Sequence, residues 1–108
     1  MSVESQRSIA DWADFTFGPC SKRIHAVRRA RQEMNEFIAL HTDMIDELPV
    51  SDRQLVDEAA DVVITLFRLA HVLKADLMSR VDTKMVINRQ RRWQSDGTGH
   101  GQHIKDEF

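Results

Sequence analysis

The sequence predicts an all-α protein, an antiparallel helical bundle completed by association of subunits. Three observations predict it. Residues 21–42 and 51–74 run without Gly or Pro and repeat apolar side chains at the spacing of one helix face. No stretch alternates with the period of a strand, and no hairpin dipeptide separates two apolar runs. A chain of 108 residues buries only a modest share of its surface, so helices this long gain from a partner subunit.

Along the chain, residues 1–17 open polar and then give Ile9, Trp12, Ala13 and Phe15, a short amphipathic helix. Phe17-Gly18-Pro19 stops it, and Ser21 is placed to cap the next. At 100° per residue, Ala26, Ala30, Met34, Phe37, His41 and Met44 form a core-facing stripe with Glu33 and Glu36 on its flank. Arg28, Arg29 and Arg31 point mostly elsewhere, and residues 43–49 read as a loop. Ser51-Asp-Arg-Gln54 is a capping box: the Ser51 hydroxyl takes an orphan N–H and Gln54 reaches back. The helix it starts runs to about Lys74, with Leu55, Ala59, Val62, Leu66, Leu69 and Leu73 as its stripe. Glu58, Asp61, Thr65 and Arg68 lie along one edge of that stripe. A break at Ala75-Asp76 leads to a fourth helix over residues 78–93. The tail, residues 95–108, is a flexible loop by composition, with three glycines and two histidines in its first ten residues.

Length sets one domain, residues 1–108. With 42% hydrophobic and 30% charged residues the chain has material for a core and is not of the disordered class. A net charge of −2 argues against a general polyanion binder. Cys20, alone, excludes an internal disulfide and a multi-cysteine zinc site. No signal peptide is visible and no apolar run approaches the roughly 18 residues of a membrane span, so the expected compartment is the cytoplasm.

The feature around which the chain is organised is a pair of acids three residues apart, written twice: Glu33 and Glu36, then Glu58 and Asp61. Residues at this spacing share a helix face. An ionised carboxylate beside an apolar stripe is costly unless paired. Brought face to face by antiparallel helices, four carboxylates suit Mg²⁺ or Mn²⁺, which take oxygen ligands and sit beside phosphates. Solvated surface acids are the plain alternative for one pair alone. Lys84 and Asn88, one turn apart with Arg92 continuing the face, suit phosphate oxygens; a basic, solvated helix end is the alternative. His41, on the apolar stripe, reads as a core or interface residue. His100 and His103 read as part of a mobile tail, Trp12, Phe15 and Phe17 as packing, and Cys20 has no activating partner.

Taken together, Glu33-x-x-Glu36, Glu58-x-x-Asp61 and the run Lys84-x3-Asn88-x3-Arg92-Trp93 resemble the MazG-like branch of the all-α nucleoside triphosphate pyrophosphohydrolases, over about residues 12–104. The likeness is to small phage-type versions acting on purine deoxynucleotides. Gln32 stands where the family's motif begins with a further Glu. The resemblance implies that Glu33, Glu36, Glu58 and Asp61 hold Mg²⁺ or Mn²⁺, that Lys84 and Asn88 contact the triphosphate, and that the bundle is a homodimer or homotetramer. It implies hydrolysis of a nucleoside triphosphate, a purine such as dGTP, to monophosphate and pyrophosphate. Glu33 or Glu36 would help take the proton of the attacking water, and Lys84 with Arg92 would steady the leaving pyrophosphate. If the gene is a phage's, the compartment is the host cytoplasm. The rival reading is a non-catalytic helical oligomer binding nucleic acid through Arg28, Arg29, Arg89, Arg91 and Arg92.

Overall fold

The structure is a computed structural model that describes residues 3–43 and 50–105, the side chains of Thr42 and Asp43 excepted. Met44, most of the expected loop at 43–49 and residues 106–108 lie outside the described residues. The chain forms two compact units, Met1–Leu77 and Met78–Phe108. Its elements are α1 (Gln6–Phe17), α2 (Arg23–Asp43), α3 (Asp52–Val72), α4 (Leu77–Gln90), β1 (Trp93–Ser95) and β2 (Gly101–His103). No helix among the described residues is long and apolar enough to cross a membrane.

In the first unit α3 packs against both α1 and α2. Helix α1 starts with a capping box, Ser5 accepting from the Ser8 N–H at 3.0 Å while the Ser8 hydroxyl accepts from the Ser5 N–H at 2.8 Å. It stops at Phe17, where Gly18 turns to φ 85°. Helix α2 begins at Arg23, so Ser21 lies outside the cap position expected for it. The turn is closed instead at Lys22, whose carbonyl accepts from the Cys20 thiol at 3.1 Å and from the His25 N–H at 3.0 Å. The capping box of α3 is as expected: Gln54 N–H donates to Ser51 Oγ at 3.1 Å and Ser51 N–H to Gln54 Oε1 at 2.9 Å.

The end of α3 is a Schellman motif. Lys74 takes φ 59°, its N–H donates to the His71 carbonyl, and the Ala75 N–H reaches back to Ala70, each at 3.0 Å. Gln6 of α1 secures the segment that follows, its amide donating to the Ala75 carbonyl at 2.7 Å and accepting from the Leu77 N–H at 2.9 Å.

The buried apolar side chains are small: Ala10 and Ala13 of α1, Ala26 of α2, Val62 and Ala70 of α3. Met34 and His41, expected on the core stripe of α2, are exposed. The contact line runs instead through Ala26, Ala30, Glu33 and Phe37, because helices approach most closely where the side chains between them are short. His41 lies on the surface with Nδ1 2.9 Å from the Phe37 carbonyl and its ring 4.4 Å from that of Phe37. Leu66 and Leu73 are likewise exposed on α3.

The second unit departs from the sequence reading. The fourth helix ends at Gln90, and residues 93–103 form an antiparallel hairpin where a flexible loop and no strand were expected. Its pairs are Trp93 with His103, Gln94 with Gln102 and Ser95 with Gly101. The connection is closed by the Asp96 N–H donating to the His100 carbonyl at 2.8 Å, and by Thr98, whose N–H and hydroxyl donate to Asp96 at 2.8 and 2.5 Å. Those donors hold the Asp96 carboxyl below the ordinary aspartate range. Gly101 is obligatory, since a Cβ there would stand 2.1 Å from the Gln94 carbonyl oxygen. Trp93 anchors the hairpin to α4, its indole N–H donating to the Asn88 carbonyl at 2.8 Å.

A left-handed φ at a non-glycine residue costs about 1–2 kcal/mol. Lys74→Gly is therefore expected to raise stability by about 1 kcal/mol, measured as a higher denaturant midpoint at unchanged slope.

Candidate active site

The two acid motifs meet across α2 and α3. Glu33, Glu36 and Glu58 each offer a carboxylate oxygen, and these atoms lie within 4.8 Å of one another. The helices run antiparallel at this point: Ala26 of α2 shares a hollow with Arg68 of α3, while Glu33, further along α2, lies beside Asp61, earlier on α3. Glu33 is 6% exposed, a buried acid on the contact line of two helices. Glu58 is half-buried and Glu36 exposed. Asp61 is outside the tight group of three; it lies beside Glu33 in the cavity wall, near enough for its charge to act on that residue.

Burial pushes the Glu33 carboxyl above its ordinary value of 4.5; the Arg29 guanidinium, ion-paired with it one turn earlier on α2, opposes this. A hydrogen bond to Glu36 and the charges of Glu36 and Asp61 push it up again. A buried acid crowded by like charges is what a divalent cation relieves. Clustered carboxylate oxygens with no sulfur or imidazole among them are the donor set of a hard cation. The residues present therefore fit Mg²⁺ or Mn²⁺.

The cavity beside the carboxylates has a volume of about 480 Å³. Trp12 and Phe17 of α1 stand edge to face at 5.5 Å in its wall, which Ile64, Thr65 and Arg68 of α3 also line. Trp12 and Phe17 are both more exposed than the packing role expected of them, and Phe15 is 90% exposed. Arg68, read from sequence only as a member of the Glu58–Asp61–Thr65 edge, is a wall residue of this cavity. Its place on that edge was the available signal, because spacings of three and four keep all four side chains on one face.

Lys84 and Asn88 share a face of α4, Lys84 exposed and Asn88 half-buried. Arg92 does not continue that face. It lies beyond the helix end, and its carbonyl accepts from the Ile104 N–H at 2.9 Å in the hairpin stem. All three belong to the second unit.

The raised Glu33 value has a definite sign. With the proton held more tightly in the folded state, this residue favours folding fully below about pH 4.5, and the contribution is lost as pH rises through the elevated folded value. In EDTA, Glu33→Gln is expected to flatten that dependence and to raise the Tm above pH 7. Added Mn²⁺ stabilises by about 2.7 kcal/mol at a hundredfold excess over Kd. Thermal melts should show that increment in the unsubstituted protein and a much smaller one in Glu33→Gln.

No family model matches the chain. It is 33% identical, over 104 residues and 96% of its length, to a dATP/dGTP diphosphohydrolase of Salmonella phage PMBT28, and it spans 32% of that relative's length. Among solved structures it is similar to the MazG-like pyrophosphohydrolase of cyanophage S-2L, bound to dGDP and three catalytic Mn²⁺ ions per active site. That likeness has a TM-score of 0.68 and 30% identity, and covers 93% of each chain. A full-length match of this kind, with Glu33, Glu36 and Glu58 gathered across α2 and α3, makes the chain a member of the MazG-like pyrophosphohydrolase family.

Proposed function

We propose that this chain, acting as one functional domain in the cytoplasm of a host cell, hydrolyses a purine deoxynucleoside triphosphate such as dGTP to the monophosphate and pyrophosphate. The observation that carries the reading is the meeting of Glu33, Glu36 and Glu58 at a cavity large enough for a nucleoside. The dGDP bound by the cyanophage enzyme and the substrates named for the Salmonella phage relative support it.

Glu33, Glu36, Glu58 and Asp61 are assigned to hold the divalent cations. When bound, these neutralise triphosphate charge and make water a competent nucleophile at neutral pH. Glu33 or Glu36 accepts the proton of the water that attacks the α phosphorus. The bond from the α phosphorus to the bridging oxygen breaks, and pyrophosphate leaves with the electron pair. Lys84, Asn88 and Arg92 are assigned to the triphosphate on the order of the family's motifs in sequence.

The chain is further proposed to work as a homodimer or homotetramer. Ile24, Val27, Met34 and Ile38 fall within an 80° stripe of α2 at 100° per residue. Each is between 42 and 54% exposed. No large side chain among the described residues is fully buried, so a second copy covering this stripe would supply the core that one chain lacks.

Pyrophosphate release should require Mg²⁺ or Mn²⁺ and cease in EDTA. Glu58→Ala and Asp61→Ala should each lower kcat by a hundredfold or more while circular dichroism stays unchanged. Full activity in either variant would refute the assignment. In light scattering the protein should have a mass two or four times 12.5 kDa. Ile38→Glu should shift it towards the monomer, and a monomeric parent protein would refute the assembly.

A further inference from the structure

Two cationic side chains line the cavity among the described residues, Arg29 of α2 and Arg68 of α3, and they are held differently. Arg68 is tied down. Its Nη2 donates to the Gly18 carbonyl at 2.8 Å and lies 3.4 Å from Asp14 Oδ1, and its side chain is 21% exposed. Arg29, expected from the sequence to point away from the core stripe, is ion-paired through Nη2 with Glu33, and its side chain is 55% exposed. One end of that pair is in solvent; the other is the buried acid of the carboxylate group.

The pair sets two positive charges in competition for one carboxylate. Glu33 contributes an oxygen to the group it forms with Glu36 and Glu58, and Arg29 donates to Oε1 of the same side chain. A carboxylate oxygen holds Mg²⁺ at about 2.1 Å and a guanidinium N–H at about 2.8 Å. A divalent cation on Glu33 therefore stands roughly 4–7 Å from Arg29 Nη2, inside the distance over which salt screens like charges. An ion pair one turn apart on a helix with one exposed partner is weak, so Arg29 can turn away at little cost. Its destination follows from the chemistry beside it. Divalent cations held by carboxylates take substrate phosphates among their remaining ligands. The triphosphate then lies next to Glu33, one turn from Arg29, and the planar guanidinium fork matches phosphate oxygens.

Resting on the nucleotide reading above, we propose that Arg29 is an exchangeable counter-ion. It pairs with Glu33 before a cation binds, yields Glu33 to the cation, and then donates to the oxygens of the triphosphate. One side chain thus offsets the acid cluster in the resting protein and the phosphate charge in the loaded one. The opposing arrangement keeps Arg29 on Glu33, where it orients the carboxylate as a ligand. The two differ in sign: an arginine that must be displaced weakens cation binding, whereas one that supports a ligand strengthens it.

The experiment titrates Mn²⁺ alone by calorimetry at pH 8, above the ordinary carboxylate range, into the unsubstituted protein, Arg29→Gln, Arg29→Lys and Arg28→Gln. Arg29→Gln should bind Mn²⁺ about tenfold tighter, because a like charge has gone from beside the site. Arg29→Lys keeps the charge and should stay within about threefold of the unsubstituted protein. Arg28→Gln removes the same charge from an exposed position outside the cavity wall and should change the affinity by less than about twofold. With dGTP at saturating Mn²⁺, KM should rise about tenfold in Arg29→Gln while kcat falls less, and Arg29→Lys should recover part of the loss. Unchanged or weaker Mn²⁺ binding in Arg29→Gln overturns the exchange, and an unchanged KM overturns the transfer to the triphosphate. Should Arg29→Gln fail to fold, the unsubstituted protein decides: on adding Mg²⁺ the Arg29 side-chain N–H groups should exchange faster with solvent, and an unchanged rate overturns the proposal. Absence of hydrolysis of any nucleotide would instead overturn the reaction assigned above and leave the Mn²⁺ titrations standing, so the two failures are distinct.

Discussion

Glu33 occupies a position on α2 that packing would give to an apolar residue, on the line where α2 meets α3, one turn beyond Ala30 and two beyond Ala26. An acid there opposes folding while ionised, and Arg29, itself on the surface, offsets only part of that. Much else in the first unit follows from this constraint. For Glu58 to reach Glu33 and Glu36 the two helices must approach closely, which the short side chains on the contact line allow. The unit therefore has a thin core, and many of its larger apolar side chains are exposed or line the cavity.

A thin core and an open cavity are two aspects of one arrangement. Helix α1 meets α3 through Ala10 and Ala13, and turns Trp12 and Phe17 towards the cavity instead of into the interior. Without a substantial interior, α1 is fixed by polar contacts at its two ends. Gln6 bridges to Ala75 and Leu77 at one end, and Arg68 reaches Gly18 and Asp14 at the other. Such bonds are directional, so they set where the aromatic wall stands relative to the carboxylates more sharply than apolar contact would.

The long helices, the α3 capping box and the acid pairs were legible in the sequence because each is a short-range pattern: a period, a cap, a spacing of three. What was not legible depends on contacts distant in sequence or on conformations that composition hides. The register of α2 shifted from Met34 and His41 towards Glu33 because short side chains decided the line of closest approach, against the hydrophobic ranking. The hairpin was hidden because its strands are three residues each and its turn is made by Asp96, Thr98 and the glycines, which by composition alone suggest a loop. Arg68 was visible as an edge residue; its carbonyl partner, fifty positions away, was not.

The same distinction explains why the acids assigned to the metal stand out and the contacts of Arg68 do not. Carboxylates that share a cation must be packed within one small sphere, and on helices that confines them to spacings of three and four, a pattern one sequence can display. Arg68 is held by Asp14 and by the Gly18 carbonyl, partners some fifty positions away that only the fold brings to it. Arg68 stands on the same face of α3 as Glu58 and Asp61, so one helix carries both the acids assigned to the metal and the cation that fixes the end of α1. The separation between the acids and that cation is then set by helical rise, and a side chain on a regular element holds such a distance better than a loop can.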